Sequence, residues 1–236
     1  MRVDVLNFTG KIPDNRLSDA TVIVVDVLRA TSSIVWAIRN GAERIIPVTD
    51  PGTAVAMQLR LGNAERVLAG ERGGVRIPGF DIGNSPMDFT EDAVKNKLVI
   101  MSTTNGTEAI CAVKSAKNVL IGSMLNRMAV AKRAVEIGRD ILIICAGTEG
   151  QLSADDMCAA GGIVDAVSQF ADEFSANDAA LIAALLYAGW KRGEADLSVT
   201  MHYSRLIRLG FARDAEFCFR EDQTDVVPQL VDGIIS

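Results

Sequence analysis

Two short polar turns, each placed between an apolar run and a helical pattern, carry the residue types that could do chemistry. The first turn follows the apolar run at 22–25 and supplies an acid, a guanidinium and a hydroxyl, from Asp26, Arg29 and Thr31. The second turn follows the apolar run at 98–101 and supplies uncharged polar groups, from Ser102, Thr103, Thr104, Asn105, Gly106 and Thr107. Backbone N–H groups at a helix start favour anions. The two turns therefore predict a site for an anionic ligand.

Three roles are open to Asp26: it could ligate a metal, orient a base, or cap the helix that begins near Thr31. A capping side chain must reach the N2 or N3 amide, and Asp26 lies five residues before that helix, so we favour a functional role. Arg29 suits a phosphate or carboxylate through its fork of donors, or else pairs with Asp26. Thr31, Ser32 and Ser33 offer three hydroxyls at the helix start, whereas simple capping needs one. Gly106 would let the backbone of the second turn approach a ligand closely.

The segments around the two turns also match each other. The matching pairs lie at offsets of about 74 to 77 positions, and they are 42–48 with 116–122 and 68–73 with 145–150. The sequence therefore predicts two duplicated β-turn-α repeats, at about 20–75 and 96–150. If both polar turns lie at the same sheet edge, they share the place where open α/β sheets usually bind ligands.

The alternation of short β-branched runs with helical patterns predicts an α/β fold. The strand-like runs are apolar along their whole length, which is typical of a sheet covered on both faces. We therefore predict a three-layer α/β/α sandwich with a mainly parallel or mixed sheet, in one domain over 1–236. The predicted helices before residue 150 lie at 31–40, 51–61, 107–115 and 127–137. The part from 153 onward is predicted to be helical at 153–172 and 178–191, with an irregular tail over 194–236.

Composition excludes several classes of partner. A net charge of −6 and a pI near 4.9 argue against a nucleic-acid partner, because phosphate backbones require clustered Lys and Arg. No apolar run approaches the ~18 residues that a membrane span needs. The four cysteines lack zinc-site spacing and are predicted to be reduced core thiols, which favours a cytoplasmic protein. The apolar helix at 179–187 could pack on the sheet or on a second copy, so a homo-oligomer is possible.

A long loop over 70–86 interrupts the alternation of strands and helices. Its five glycines and two prolines are too many for a core element, and loops of this length are usually functional or disordered. Arg72, Arg76, Asn84 and Ser85 favour the functional alternative.

Acidic side chains near the two repeats predict a magnesium site. Glu71 and Glu149 occupy nearly matching places, and with Asp26 they could form an oxygen-rich site, since Mg2+ takes one or two carboxylates with waters and phosphate oxygens. Solvated loop acids are the alternative for each glutamate. Asp155 and Asp156 follow Ser153 as in a capping box, or else they join the metal site.

Missing motifs narrow the chemistry further. The single histidine, His202, lies in the predicted irregular tail, which argues against a Ser-His-Asp triad or a phosphohistidine. Cys145 lacks the loop of a cysteine phosphatase, no Asp-x-Asp pair follows a strand, and the common nucleotide-binding glycine motifs are absent. Electrostatic and metal chemistry with water as the nucleophile remains.

Five blocks of this sequence resemble the 2-phosphosulfolactate phosphatase family, the ComB family of the coenzyme M pathway. The blocks are at 25–31, 69–74, 80–86, 103–107 and 145–148, in family order. The resemblance implies Mg2+-dependent hydrolysis of a phosphate monoester on a three-carbon acid bearing carboxylate and sulfonate. A magnesium phosphatase of another small phosphorylated hydroxy acid and a non-catalytic anion-binding protein are the alternatives.

A substrate with several negative charges needs a concentrated set of donors in an acidic protein. The arginines predicted to bind it lie in loops or helix starts of the repeats and are Arg29, Arg72, Arg76 and Arg127. The other predicted substrate-binding residues are Thr31, Ser32, Asn84, Ser85, Thr104, Asn105, Gly106 and Thr107. Asp26, Glu71 or Glu149 is predicted to accept the proton of water. The predicted metal ligands are Asp26, Glu71, Asp155 and Asp156.

Overall fold

The structure is a computed structural model that describes residues 1–10, 12–60 and 65–236. The strands in chain order are β1 (Arg2–Asn7), β2 (Ala20–Val25), β3 (Arg44–Pro47), β4 (Arg66–Arg72), β5 (Val75–Arg76), β6 (Leu98–Ser102), β7 (Asn118–Gly122), β8 (Asp140–Cys145), β9 (Ser175–Ala176), β10 (Gln229–Val231) and β11 (Ile234–Ile235). The last position of the predicted helix at 51–61 lies outside the described residues.

The α-helices are α1 (Asp14–Leu17), α2 (Ala30–Arg39), α3 (Pro51–Arg60), α4 (Glu91–Val94), α5 (Gly106–Ala112), α6 (Arg127–Ile137), α7 (Ala154–Val167), α8 (Asp178–Lys191), α9 (Met201–Arg208) and α10 (Ala212–Cys218). Short 3-10 turns lie at Pro86–Asp88, Met124–Asn126 and Leu197–Val199. Within the described residues, no helix combines the length and the apolar character that crossing a membrane would require.

Local sequence explains several helix ends. The Ser153 side chain accepts a hydrogen bond from the Asp156 N–H at the start of α7, and Asn177 does the same for Ala180 at the start of α8. Gly138 ends α6 in the left-handed conformation, at φ +73°, which glycine adopts without steric cost. The capping role predicted for Ser153 as one of two alternatives is therefore observed.

The sheet is buried on both faces, as its wholly apolar strands predict. Ile23 and Val25 of β2 join a core cluster with side chains of α6, α7 and α8. Val22 and Val24, on the opposite face, join a second cluster with side chains of α2 and α5. Because successive side chains of a strand point to opposite faces, the two clusters lie on either side of the sheet. The predicted three-layer α/β/α sandwich is confirmed.

The sheet is mixed and contains two parallel groups of strands. Its order is β5-β4-β6-β3-β11-β10-β7-β2-β8-β1-β9. Strands β3, β4 and β6 pair in parallel, as do β1, β2, β7, β8 and β9. The hairpin of β10 and β11 pairs antiparallel with β7 on one side and with β3 on the other. Three antiparallel pairings in succession make the two groups run in opposite directions.

The two predicted repeats have the same order of elements and exchange strands. The first contains β2, α2, β3, α3 and β4, and the second contains β6, α5, β7, α6 and β8. Strand β2 lies between β7 and β8 of the second repeat, and β6 lies between β3 and β4 of the first. The expectation that both polar turns lie at one common sheet edge is wrong, because the groups run oppositely. The carboxyl ends of β2 and β6 nevertheless meet, as the contacts of Gly106 show below.

The part after residue 153 is more ordered than its sequence suggests. The predicted irregular tail contains α9, α10 and the β10–β11 hairpin. Helix α8 packs so closely on α7 that a Cβ added to Gly161 would lie 1.9 Å from the Ala183 carbonyl oxygen. Its other face leaves Leu181, Ile182 and Leu185 exposed, and a homo-oligomer remains a prediction. The four cysteines are free thiols, all buried except the half-buried Cys111.

Candidate active site

A cavity lies where the turns after β2, β4, β6 and β8 meet helix α9. Its lining residues are Asp26, Leu28, Arg29, Glu71, Gly73, Gly74, Asn84, Thr104, Asn105, Thr148, Glu149, His202, Arg205, Leu206 and Leu209. Both repeats and the C-terminal part therefore contribute to one site. The structure brings together the acids predicted to be catalytic, Asp26, Glu71 and Glu149.

The turn after β2 holds Asp26 in a closed set of hydrogen bonds. The Asp26 N–H donates to the Thr31 hydroxyl oxygen over 3.0 Å, and that hydroxyl donates to the Asp26 carbonyl over 2.9 Å. The Ala30 N–H donates to Asp26 Oδ1 over 3.3 Å. Within the described part of the chain, Asp26 Oδ2 accepts no hydrogen bond, so this carboxylate oxygen is available to a ligand.

The turn after β6 repeats this arrangement without the charge. Thr103 N–H donates to the Thr107 hydroxyl, and that hydroxyl donates to the Thr103 carbonyl, each over 3.0 Å. Thr103 thus occupies the place of Asp26. A Cβ added to Gly106 would lie 2.4 Å from the Ala30 Cβ and 2.5 Å from Asp26 Oδ2. The two turns meet at these residues, and only glycine fits at position 106.

Glu71 is a buried side chain that links the two repeats. Its Oε1 accepts a hydrogen bond from the Thr104 N–H over 2.7 Å, and its Oε2 accepts one from the Gly74 N–H over 2.7 Å. The Thr104 hydroxyl adds a bond of 3.2 Å to Oε2. These bonds fix the carboxylate at the cavity wall, so the alternative of a solvated loop acid does not hold for Glu71. Glu149, in contrast, is exposed at the cavity mouth, as expected for a solvated loop acid.

Arg29 has a partner that local sequence does not reveal. Its guanidinium donates to Asp214 Oδ2 over 2.5 Å and to the Gly74 carbonyl over 2.9 Å, and it stacks 4.1 Å from the Phe211 ring centre. Ser85 donates to the other oxygen of Asp214 over 2.9 Å. The alternative of an ion pair with Asp26 is therefore wrong. Asp214 and Phe211, in and beside α10, orient Arg29 at the cavity wall.

His202 is the cavity residue that the sequence argument set aside. Its Nδ1 lies 3.1 Å from Asp155 Oδ2, and the Thr200 hydroxyl donates to Asp155 Oδ1 over 3.0 Å. The prediction that the single histidine lies in an irregular tail is wrong, because residues 201–208 form α9. Helical spacing in the sequence could have indicated its place: His202, Arg205 and Leu206 lie on one face of α9, Leu209 follows directly after the helix, and all four line the cavity.

Burial and neighbouring charges set the protonation of this site. Burial raises the pKa of Asp26 to about 6, with Glu71 adding to the rise and His202 opposing it. Burial lowers the pKa of His202, but Asp155 outweighs that effect and brings it above the ordinary value. Burial likewise works against ionisation of Asp155, yet its hydrogen bond to His202 leaves its pKa lowered. The Asp155 carboxylate and the His202 imidazolium therefore stabilise each other.

Asp156 links the turns that follow strands β2 and β8. Its Oδ1 accepts from the Val27 N–H over 2.9 Å and its Oδ2 from the Gly147 N–H over 3.0 Å. Burial raises its pKa well above the ordinary value, and Asp26 and Asp155 add to the rise. Asp156 is absent from the cavity lining, so it holds the turns after β2 and β8 together and is not placed to ligate a metal in the cavity.

Several predicted substrate-binding residues are engaged elsewhere. Arg72 donates to the Thr49 carbonyl and Arg76 to the Asp81 carbonyl, and neither lines this cavity. Arg127 pairs with Asp165, Glu221 and Asp222 and stacks on Tyr187. The Ser32 hydroxyl donates to the Val27 carbonyl. These side chains lie outside the cavity lining, and their role in substrate binding stays a prediction, because a position in sequence does not fix the direction of a side chain.

The remaining predicted binding residues lie at or near the cavity. Thr104 and Asn105 line it, and Thr31, Gly106 and Thr107 shape the two turns beside it. Asn84 also lines it, and its buried Oδ1 has no hydrogen-bond partner among the described residues, so a ligand could satisfy this amide. Ser85 is committed to Asp214.

The predicted four-acid metal cluster is not assembled. Within 1–10, 12–60 and 65–236, no group of three or more His, Cys, Asp and Glu side chains is arranged to hold a metal ion. Asp155 faces His202, and Asp156 faces two backbone amides. Of the four predicted metal ligands, Asp26 and Glu71 line the cavity. Two carboxylates are enough for Mg2+, which usually keeps several waters and binds phosphate oxygens.

Comparisons with known proteins agree on one family. The family model described as 2-phosphosulpholactate phosphatase matches residues 7–233. A protein of Clostridium acetobutylicum named "Probable 2-phosphosulfolactate phosphatase" is 39% identical over 235 residues, which cover 100% of both chains. A protein of Caldanaerobacter subterraneus subsp. tengcongensis with the same name is 39% identical over 227 residues, covering 96% of this chain and 94% of its own. This chain, with its site between two strand groups, belongs to the 2-phosphosulfolactate phosphatase family.

Proposed function

We propose that this protein hydrolyses the phosphate monoester of 2-phosphosulfolactate, releasing sulfolactate and inorganic phosphate with the help of Mg2+. The observation that carries the proposal is the pairing, in one cavity, of a buried carboxylate with a free oxygen, Asp26, and an Asp155-bound imidazole, His202. Family membership supports the reaction class and the substrate. We assign the reaction to coenzyme M synthesis on the same ground. The free carboxylate and the imidazole supply the two proton-transfer groups that ester hydrolysis needs.

The residues present fit one magnesium ion. Glu71 would hold it through Oε1, because this oxygen accepts only the Thr104 N–H among the described residues and keeps a second acceptor direction, whereas Oε2 accepts both the Gly74 N–H and the Thr104 hydroxyl. Waters and the phosphate oxygens of the substrate would complete the shell. When bound, Mg2+ neutralises charge on the phosphoryl group and so eases attack by water.

The proton transfers follow from the surroundings of the two groups. Asp26, with a pKa of about 6, is ionised at neutral pH and basic enough to take a proton from the attacking water through Oδ2. The pKa of His202 lies above the ordinary value, so its imidazolium carries a proton on Nε2, the ring nitrogen that does not contact Asp155. As the bond from phosphorus to the ester oxygen breaks, His202 donates this proton to the leaving alkoxide. The products are the alcohol and inorganic phosphate.

The decisive experiment measures phosphate release from 2-phosphosulfolactate with Mg2+ and with EDTA. We expect release with Mg2+ and none with EDTA. Asp26→Asn should abolish release, whereas Asp172→Asn, an exposed aspartate outside the cavity lining, should leave it unchanged. Undiminished release in EDTA, or a trapped phosphorylated side chain, would contradict the mechanism. Equal turnover of 2-phospholactate, which lacks the sulfonate, would favour a broader phosphatase of phosphorylated hydroxy acids.

A further inference from the structure

The cations of the cavity differ in how firmly their partners are held. Arg29 is paired with Asp214, and the two side chains are only 2% and 7% exposed. His202 is paired with Asp155, whose side chain is 1% exposed. A ligand cannot displace such buried carboxylates without leaving a charge unpaired, which is strongly unfavourable. Neither Arg29 nor His202 is therefore free to exchange its partner for a substrate anion.

Arg205 is the cavity-lining cation whose partner is displaceable. Its Nη1 lies 3.2 Å from Glu149 Oε1, and the side chains are 41% and 69% exposed. Exposed ion pairs contribute little to stability, so exchanging Glu149 for another anion costs little. The second terminal nitrogen, Nη2, lies 3.4 Å from the Gly73 carbonyl, which holds the guanidinium at the cavity wall in either state.

Glu149 is placed to act as an internal substitute for a ligand anion. Its backbone is left-handed, at φ +53°, and its N–H donates to Asn105 Oδ1 over 3.2 Å. The turn after β8 thus presents the Glu149 carboxylate to Arg205 across the cavity mouth. A base for the reaction needs a position beside the attacking water, whereas this carboxylate is exposed and already paired.

Helix α9 sets the spacing between Arg205 and the proposed proton donor. His202 and Arg205 are three residues apart on one helix face, which places their Cβ atoms about 5 to 6 Å apart. A phosphate ester oxygen near His202 and an acidic group on a neighbouring carbon near Arg205 match this spacing.

We propose that Arg205 binds a non-transferred anionic group of the substrate, and that Glu149 occupies this place when the cavity is empty. The inference rests on the proposed phosphatase function and assigns Arg205 to substrate selection, separate from the reacting atoms. It also removes Glu149 from the candidate bases.

The test compares substrates with and without the second anionic group. Arg205→Gln should lower kcat/KM for 2-phosphosulfolactate by about 10- to 100-fold, the usual effect of losing one charge-assisted contact. The same variant should hydrolyse p-nitrophenyl phosphate within about twofold of wild type, because that ester has no further anionic group. Arg205→Lys should recover part of the loss. Arg208→Gln is the matched control: Arg208 lies one turn away, donates a hydrogen bond to the Ser204 hydroxyl and does not line the cavity, so this variant should change neither rate.

The outcomes separate the inference from the function on which it rests. Equal losses on both esters, or no loss on either, would overturn the assignment of Arg205. A loss with 2-phosphosulfolactate but not with 2-phospholactate would place the sulfonate at Arg205, and a loss with both would place the carboxylate there. A wild-type protein that does not hydrolyse 2-phosphosulfolactate would contradict the proposed function instead.

A binding measurement provides a readout that does not depend on turnover. In calorimetric titrations with the product sulfolactate, Arg205→Gln should weaken binding about tenfold or more, and Glu149→Gln should tighten it severalfold by removing the competing carboxylate. Weaker binding by Glu149→Gln, or a fall in its kcat, would overturn the role given to Glu149.

Discussion

At the scale of single residues, Asp26 shows how a functional group is kept reactive at the expense of stability. Its carboxylate is buried, receives one hydrogen bond at Oδ1 and leaves Oδ2 without a donor. Burial of an ionised, poorly bonded carboxylate is unfavourable, which is why its pKa rises to about 6. A fully bonded carboxylate would be more stable but a weaker proton acceptor.

We predict that Asp26→Asn loses activity without losing stability at neutral pH. The folded state binds the Asp26 proton more tightly than the unfolded chain does, so protonation of Asp26 stabilises the folded state. This contribution to the free energy of unfolding is complete below pH 3.8 and is lost as the pH rises through about 6. At pH 7 the asparagine variant carries no buried charge, so its free energy of unfolding should be higher than that of the wild type by up to about 3 kcal/mol. Urea unfolding should show a higher free energy of unfolding for Asp26→Asn than for the wild type at pH 7 but not at pH 4. A destabilised variant that keeps its turnover would contradict both roles.

The pH dependence of kcat/KM should show one limb for each proton-transfer group. Activity rises as Asp26 ionises near pH 6 and falls when His202 loses its proton, at a pH above the ordinary histidine value. His202→Asn should lower turnover of 2-phosphosulfolactate by about 100-fold or more and remove the alkaline limb. The loss should be smaller with p-nitrophenyl phosphate, whose leaving group needs no proton. An unchanged alkaline limb would show that His202 has only a structural role.

Sequence reasoning succeeded for residues whose position follows from the strand they end. Asp26 and Glu71 line one cavity, as expected from their positions at the ends of buried strands, Asp26 directly after β2 and Glu71 as the next-to-last residue of β4. It did not reveal the ion pairs of Arg127, whose partners Asp165 and Glu221 come from other elements. It missed His202 because contacts across the fold, from α7 to α9, bring Asp155 to its ring. Local patterns fix where a strand ends, whereas the direction of a long side chain depends on tertiary neighbours.

At the scale of elements, the starts of α2 and α5 depend on one glycine. We predict that Gly106→Ala destabilises the protein by about 1 to 3 kcal/mol, because the added methyl group would overlap Ala30 and Asp26 Oδ2. Activity should fall further, since the shift displaces Asp26 itself. The matched control is Gly189→Ala in α8, where the nearest heavy atom would be 3.7 Å away and alanine should stabilise the helix. Urea unfolding and phosphate release measure both effects, and equal behaviour of the two variants would contradict the prediction.

Helix α10 is coupled to the cavity through the buried pair of Arg29 and Asp214. Lysine cannot reach Asp214 and the Gly74 carbonyl together while stacking on Phe211. For Arg29→Lys we predict a stability loss of about 1 to 3 kcal/mol together with reduced activity. Arg39→Lys, where the arginine stacks on Trp36 at the surface, should stay within about 0.5 kcal/mol in the same urea unfolding experiment. A stable but inactive Arg29→Lys would instead indicate direct contact with substrate.

At the scale of the whole molecule, the exchange of strands between the two predicted repeats explains why one cavity forms between oppositely running strand groups. Each repeat contributes its first strand to the other, so β2 and β6 carry their polar turns across the molecule to a common place. The sequence predicted two repeats and apolar strands, because both predictions rest on local patterns. It did not reveal the strand exchange, because pairing between strands far apart in sequence leaves no local signal.

The C-terminal hairpin joins the two strand groups, and its buried residues should control the stability of the whole chain. Ile235 is fully buried and pairs with Ile45 of β3, whereas Val231 in the same hairpin is 59% exposed. Ile235→Ala should cost about 2 to 5 kcal/mol, and Val231→Ala should cost no more than about 0.5 kcal/mol. Because each repeat completes the other's sheet, unfolding of Ile235→Ala should remain one transition, with activity and helical signal lost together. Two separated transitions would show that the strand groups fold as independent domains, and that the hairpin does not couple them.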